Sequence, residues 1–243
     1  MLNFATKLAP ESDKLDQAQE AGFRCAEFWL CEDHLADVDP ILEMAALRDM
    51  RFVPHFPNKG LLSQDQLANA VRLYRELGCR AMVIHKPMLR SYGNRLFELE
   101  PDLRVAVENG RQRGDDFAAW AGDHEGLTLD IEHVWKFTLR DCPLEELLLF
   151  VRDFFAQHGR KVRHIHLPGY VPGSEEHHPA YRSPDLVTAM WDFLASIRFD
   201  GLIVSELNCE FQTPEHLSRD WALFREWQES RREIDEPVAS AIA

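Results

Sequence analysis

Eight short apolar segments, separated by amphipathic stretches, are the feature of this sequence that most restricts its fold. Most are rich in Val, Ile, Leu or Phe and have Pro, Gly, Asn or Asp close by, as is typical of buried strands. The segments cover residues 2–5, 26–29, 51–55, 81–85, 103–108, 127–130, 162–166 and 202–206. Between them lie helix patterns such as residues 63–77, which begin at a capping Ser63 and end before Gly78.

Strands that alternate with helices predict a parallel sheet, and a count of eight favours closure into a (β/α)₈ TIM barrel. An open, doubly wound sheet is the alternative. The connection after the fourth strand is expected to be irregular, because it contains Pro87, Gly93 and Pro101. No stretch reads as a linker, so we predict one barrel domain over residues 1–234 and a flexible C-terminal tail over 235–243.

The charge and the cysteines limit the partners and the compartment. The formal net charge is −14, from 41 Asp and Glu against 27 Lys and Arg. Proteins that bind nucleic acid or anionic membranes usually need a basic surface, so neither partner is expected. The five cysteines form no CxxC pair, and no segment has the pattern of a signal peptide or a membrane span. These features predict a protein of the reducing cytoplasm.

Ionisable or imidazole side chains end six consecutive predicted strands, from the third to the eighth. In a barrel, all strand ends meet at one mouth, which is where the chemistry is found. Several carboxylates crowded there would repel one another and have raised pKa values unless a cation neutralised them. A divalent ion (Mn, Mg, Co or Zn) resolves that conflict, since these ions accept oxygen and imidazole ligands. The residues are His55, His85, Glu108, Asp130 with the nearby His133, His166 and Glu206.

Other side chains near the strand ends are candidates for contact with a small-molecule substrate. Trp29 ends the second predicted strand and could wall a pocket of sugar size, although most aromatic residues belong to the core. Lys7, Lys86 and Lys136 could supply local positive charge. His178 lies in the loop GSEEHHPAYRSP, which could cover a substrate as a mobile lid.

The segments VAVENG, LTLDIEH, HIHLPGY and GLIVSELN, in this order, resemble the xylose isomerase-like barrel superfamily. The start of the chain is similar to it as well, with FATKLAP, a helix and then AGFRCAEFWL. That superfamily includes sugar epimerases, hydroxypyruvate isomerases, inosose dehydratases and the zinc-type apurinic-site endonucleases (AP endonuclease family 2). The resemblance covers most of the chain and is weakest between His85 and Leu103. Because these motifs serve several chemistries, they identify a site better than a substrate.

The resemblance implies four ligands for the divalent ion: Glu108, Asp130, His166 and Glu206. His164 is the competitor of His166, because both share one face of their strand, although His166 lies nearer the C-terminal end.

The activity that the resemblance implies is that of an isomerase or epimerase acting on a small sugar or hydroxy-keto compound. Glu108 and Glu206 would then exchange a proton with a substrate carbon, next to a metal-bound carbonyl. His85 and His133 would contact substrate oxygens.

A hydrolase is the alternative function. His55 and His85 fall where the endonuclease members have two further zinc-binding histidines, and Glu176 and His178 could supply their remaining pair. If the site holds several metal ions, the protein would be a phosphoester hydrolase. In an isomerase or epimerase with one ion, His55 would contact the substrate instead. A third possibility is a binding protein that has kept the fold without activity. A homodimer is compatible with the tryptophans of the last helix, Trp221 and Trp227.

Overall fold

Eight parallel strands close into one barrel in the computed structural model, which describes residues 2–235. Neighbours in sequence are neighbours in the sheet, and the last strand pairs with the first. The (β/α)₈ prediction is therefore confirmed. The predicted tail over 235–243 lies outside the described residues, apart from Asp235. The strands are β1 (Asn3–Leu8), β2 (Cys25–Trp29), β3 (Arg51–His55), β4 (Met82–His85), β5 (Val105–Glu108), β6 (Leu127–Asp130), β7 (Val162–His166) and β8 (Leu202–Ser205).

Helices follow the strands around the outside of the barrel. Local signals set their ends: Ser63 and Gln66, for instance, each accept a hydrogen bond from the backbone N–H of the other. The helices are α1 (Ser12–Ala21), α2 (Glu32–Ala36), α3 (Asp39–Ala46), α4 (Gln64–Glu76), α5 (Lys86–Leu99), α6 (Gly114–Asp123), α7 (Ile131–His133), α8 (Leu144–His158), α9 (Pro184–Ser196) and α10 (Pro214–Asp235). No helix of the described chain combines the length and the apolar character that crossing a membrane requires.

The connection after β4 differs from the irregular one that we expected, since α5 is a regular helix of 14 residues. Pro87 lies in the first turn of α5, where a missing N–H costs nothing. Gly93 is buried inside the helix, and a Cβ there would lie 2.9 Å from Cδ1 of Leu89. Pro101 comes after the helix has ended. None of the three residues that suggested an irregular segment therefore lies at a position where it would interrupt α5.

The first strand extends further than predicted, from Asn3 to Leu8 instead of ending at residue 5. This extension places Lys7 inside the strand, beside Glu27 of β2. Because side chains alternate along a strand, Phe4 joins the core under the helices, whereas Ala5 and Lys7 face the barrel interior.

The barrel interior has an apolar layer below a polar one. A compact cluster separate from the main core fills the lower part, with Ala5, Cys25, Val53, Val83, Leu202 and Val204. Two residues beyond five of these six, the side chains are ionisable: Lys7, Glu27, His55, His85 and Glu206. The polar layer therefore lies at the C-terminal mouth, on a packed floor.

The last helix, α10, packs along the first helix, α1, and covers one side of the hydrophobic core between helices and barrel. Trp221 of α10 contacts Phe23, with ring centroids 5.2 Å apart. Trp227 contacts Trp191 at 5.5 Å and donates its indole N–H to Asp192. Both tryptophans that we considered for a dimer thus have partners within the chain.

Candidate metal centre

Four side chains from neighbouring strands converge at the C-terminal mouth of the barrel. Glu108 ends β5, Asp130 ends β6, His166 ends β7, and Glu206 directly follows β8. One ligand atom from each lies within 4.8 Å of those of the other three. From Nδ1 of His166, the carboxylate oxygens lie at 2.7 Å for Glu206, 3.7 Å for Glu108 and 4.0 Å for Asp130.

The same four atoms are buried, and none makes a hydrogen bond of acceptable geometry to a described residue, although Nδ1 of His166 and Oε2 of Glu206 are within ion-pair distance of each other. The four atoms are Oε2 of Glu108, Oδ2 of Asp130, Nδ1 of His166 and Oε2 of Glu206. Buried polar atoms are rarely left unpaired, because each one costs about 1–3 kcal/mol. Three oxygens and one imidazole nitrogen that point at a common centre form a donor set that suits a divalent cation. These residues therefore fit a metal ion.

A buried carboxylate on β2, Glu27, contacts two of the histidines from behind. Its Oε1 lies 2.8 Å from Nδ1 of His55, and its Oε2 lies 3.1 Å from Nε2 of His166. Since a carboxylate accepts and does not donate, both rings must present N–H groups to it. Nδ1 of His166 is thereby the nitrogen left to face the cluster, and Nε2 of His55 faces Glu108 at 3.5 Å.

Lys7 places a cation inside the cluster. Its Nζ lies 2.6 Å from Oε1 of Glu206 and 3.5 Å from Oε1 of Glu27, and its side chain is only 7% exposed. Burial opposes the charge of Lys7, but Glu206, Glu27 and Glu108 outweigh it and raise its pKa above the ordinary value. Lys7 is therefore a permanent positive charge at this mouth.

The carboxylates of the cluster are not equivalent. Burial disfavours the ionised form of all of them, yet His166 and Lys7 hold the pKa of Glu27 well below its usual range. Lys7 and His166 do the same for Glu206. For Asp130, burial raises the pKa, and the nearby Glu206 and Glu108 add to this effect, which His133 and His166 oppose without overcoming it. Burial also disfavours protonated His166, but Glu27, Glu206 and Glu108 raise its pKa well above the usual value. In the metal-free cluster, His166 thus shares the positive charge with Lys7.

The segment after β5 holds Asp130 and His133 in place. Asn109 accepts from the backbone N–H of Asp130 at 2.7 Å and donates to its carbonyl at 3.1 Å. Asp130 in turn accepts from the backbone N–H of His133 at 2.8 Å, which caps α7. The Nδ1 of His133 lies 3.1 Å from the carbonyl of Asn109, so its Nε2 is free to face the mouth.

A cavity of about 500 Å³ opens above the four ligands. This volume suits a small organic ligand. Of the predicted substrate-binding residues, Trp29, His85 and His133 line it together with Glu108 and Glu206. Additional polar lining comes from Lys7, Asn58, Arg111, Glu176, His177, Asn208 and Gln212.

Two further groups of metal-ligand type flank the four-residue cluster. His55, His85 and Glu108 form one, with Nε2 of each histidine 3.4–3.5 Å from Oε2 of Glu108. His133, Glu176 and His177 form the other. Both groups border the same cavity, so the mouth could hold more than one cation.

Three predicted or competing residues lie away from the cluster. His178 contacts Arg182 and Phe211 and lines a different cavity, beside Tyr181. Lys136 donates to the carbonyl of Ser174 and lies 3.3 Å from Glu176, behind the cavity wall. His164 lies one layer below His166, opposite Leu202, so His166 is the histidine at the cluster.

His177 faces the cavity in place of His178. The backbone φ of His177 is 62°, in the left-handed region that residues other than glycine seldom adopt. Glu132 stabilises this conformation, because its carboxyl group accepts a hydrogen bond from the backbone N–H of His177 at 2.9 Å. Burial and the charge of Asp130 raise the pKa of Glu132 to about 9. A neutral Glu132 thus anchors the loop without adding charge to the mouth.

Glu27, Lys7, Asn109 and His177 are site residues that the strand-end criterion did not select. Glu27 carried a signal, because an ionisable residue inside the apolar strand CAEFW requires a buried partner. Lys7 carried one only if β1 extends past residue 5.

No protein-family model and no curated protein sequence matches this chain. Solved structures do match. A D-tagatose 3-epimerase-like protein is 16% identical with a TM-score of 0.70, covering 96% of this chain and 99% of that one. A sugar phosphate isomerase/epimerase from Parabacteroides distasonis ATCC 8503 is 13% identical with a TM-score of 0.58, covering 91% and 93%. An L-ribulose 3-epimerase is 14% identical with a TM-score of 0.53, covering 99% of both chains.

At these identities the likeness concerns the fold. A xylose isomerase domain protein from Planctomyces limnophilus also matches, at 12% identity and a TM-score of 0.53, over 96% of each chain. The chain therefore shares the (β/α)₈ barrel fold of these solved structures.

Proposed function

We propose that this protein is a divalent-metal-dependent isomerase or epimerase of a small sugar or hydroxy-keto compound. The observation that carries the proposal is the convergence of four unpaired buried atoms, from Glu108, Asp130, His166 and Glu206, under a polar cavity. The solved structures described as sugar epimerases and isomerases support it through their shared fold.

In this proposal the four residues hold the ion. A bound divalent ion would polarise a substrate carbonyl and its neighbouring hydroxyl and so make the adjacent C–H more acidic. Glu206 or Glu108, as a carboxylate, would remove that proton and become a carboxylic acid. In an isomerisation the same group would return the proton to the neighbouring carbon. In an epimerisation the other glutamate, after taking a proton from water, would give it to the opposite face of the same carbon. Because their pKa values are depressed, both are ionised near neutral pH and ready to accept a proton.

The remaining lining residues orient the substrate. His85 and His133 present ring nitrogens to the cavity, and burial lowers the pKa of His85 to about 4, so its ring is neutral at pH 7. Lys7 and Arg111 provide positive charge for an oxygen-rich substrate, and Trp29 provides a partly exposed aromatic face.

The reaction type can be tested directly. The metal-loaded protein is incubated in D₂O with ketopentoses, ketohexoses and hydroxypyruvate, and NMR follows the substrate C–H signals. We expect deuterium on a carbon next to the carbonyl of one substrate. Exchange with none of them would count against a proton-transfer enzyme for these substrate classes.

A small-substrate phosphoester hydrolase is the second candidate. It is favoured by the two additional groups, His55–His85–Glu108 and His133–Glu176–His177, which could complete a multi-metal site.

The number of bound ions separates the two candidates. After saturation with Mn²⁺ or Zn²⁺ and removal of excess metal, elemental analysis should give one ion per chain for the isomerase or epimerase. Two or three ions, with hydrolysis of a phosphomonoester, would favour the hydrolase. A protein that binds neither metal, and is not stabilised by either, would refute both.

Glu27 is proposed as the residue that orients His166 towards the ion. Replacing Glu27 by Gln should lower metal affinity by about 10–100-fold, the usual effect of removing a carboxylate behind a ligand histidine. Calorimetric titration of the metal-free protein measures this without an activity assay. Glu20→Gln, at an exposed position of α1, is the matched control. Equal metal affinity in Glu27→Gln and Glu20→Gln would exclude the positioning role.

A further inference from the structure

A second cavity, of about 490 Å³, lies at the opposite, N-terminal mouth of the barrel. Its volume falls within the range of about 300–1,000 Å³ that is common for small-molecule sites. Four arginines line it: Arg51, which begins β3; Arg80 and Arg104, which precede β4 and β5; and Arg163, the second residue of β7. Parallel strands all start at one end of a barrel, so residues at strand starts meet there.

These four guanidinium groups have no carboxylate partner within 4.0 Å in the part of the chain that the structure describes. Arg51 donates instead to the amide oxygen of Asn3 at 2.7 Å. Asp200 is the single acidic residue among the described lining. Of the seventeen arginines elsewhere, eight pair with carboxylates and nine have no such pair among the described residues.

The distinctive feature is that four unpaired arginines line one cavity, in a chain whose net charge is −14. Four unpaired cations around one concavity repel one another and produce a local positive potential on an otherwise acidic protein. An anion bound between them would relieve that repulsion, and guanidinium groups match phosphate oxygens in geometry and in charge.

The floor of the cavity adds an independent observation. His164 lines it and is only 3% exposed, and its Nδ1 is buried without a hydrogen-bond partner among the described residues. The rest of the floor is apolar, with Val53 and Leu202. A basic rim over a concave floor with one unpaired polar atom favours a small molecule that enters the mouth.

We infer that the N-terminal mouth is a binding site for a small polyanion of the phosphate class, separate from the metal centre. The four arginines bind its phosphate oxygens at the rim, and His164 offers the polar contact at the floor. This inference does not depend on the reaction at the other mouth.

Inorganic pyrophosphate is the probe. It is titrated by calorimetry at low ionic strength into the full-length protein and into Arg104→Gln/Arg163→Gln, whose replaced side chains are both exposed. The matched control is Arg90→Gln/Arg152→Gln, which removes two exposed arginines that lie in α5 and α8, away from the cavity. The melting temperatures of the variants show whether each retains the fold.

We expect saturable binding of one pyrophosphate to the wild-type protein and to the control. The affinity of Arg104→Gln/Arg163→Gln should be lower by about tenfold or more for each arginine lost, since each contributes charge-assisted hydrogen bonds. Binding should also weaken as the ionic strength rises. Absence of saturable binding, or equal affinity in the two double variants, would overturn the inference. The second result would place the anion elsewhere, for example at the metal centre.

Discussion

Glu206→Gln is expected to reduce deuterium incorporation into the substrate by about 10²–10⁴-fold, while the protein stays folded. The amide keeps the size and an oxygen of the side chain but cannot accept the substrate proton near neutral pH. The depressed pKa of Glu206, which Lys7 and His166 maintain despite burial, means that the wild-type residue is a carboxylate. NMR of the substrate C–H in D₂O, at saturating metal, measures the rate.

Glu206 is also a proposed metal ligand, so a loss of metal must be separated from a loss of the base. Asp130→Asn provides the comparison, because Asp130 is proposed as a metal ligand but not as a proton-transfer group. Excess metal should restore exchange in Asp130→Asn but not in Glu206→Gln. Glu210→Gln, at an exposed position four residues away, controls for the charge. Exchange at the wild-type rate in Glu206→Gln would exclude Glu206 as the acid or base.

Lys7→Met is expected to lower the free energy of unfolding of the metal-free protein by about 3–5 kcal/mol. The substitution removes the cation that lies between Glu27 and Glu206 and leaves their buried negative charges without it. Denaturant unfolding in the presence of a chelator measures the change. A bound divalent ion supplies positive charge to the same cluster, so the loss should be smaller in the metal-loaded protein.

The exposed Lys59 gives a matched control, and Lys59→Met should change stability by no more than about 0.5 kcal/mol. The double variant Lys7→Met/Glu27→Gln should lose less stability than the two single variants added together, because it removes both a cation and an anion. If Lys7→Met were as stable as Lys59→Met without metal, the ion pairs of Lys7 would contribute nothing to folding.

Strand ends were the part of the site that sequence could predict. A parallel barrel brings the C-terminal ends of its strands to one mouth, so strand positions predicted a cluster that includes Glu108, Asp130, His166 and Glu206. The choice of these four as the ligands came from the family resemblance. Period-2 alternation placed His164 and His166 on one face, and the register of β7 with β6 and β8 separates them by one layer.

Other features depended on tertiary contacts that a local pattern does not contain. Glu27 lies in the interior of β2, and its role follows from side chains on β1, β3 and β7. The choice of His177 over its neighbour His178 follows from a left-handed backbone conformation that a distant carboxylate stabilises. In α5, tertiary packing and position overrode the local signals of proline and glycine.

The internal ammonium group of Lys7 has a consequence for the order in which the protein is assembled. A mouth lined only by acids would make correct folding wait for the metal, and every ion lost would endanger the chain. Here the ammonium group of Lys7, which belongs to the chain itself, supplies part of the positive charge that the buried carboxylates need. If the proposed function holds, a newly made chain would fold first and take up a divalent ion later, and a shortage of metal would leave it inactive but intact.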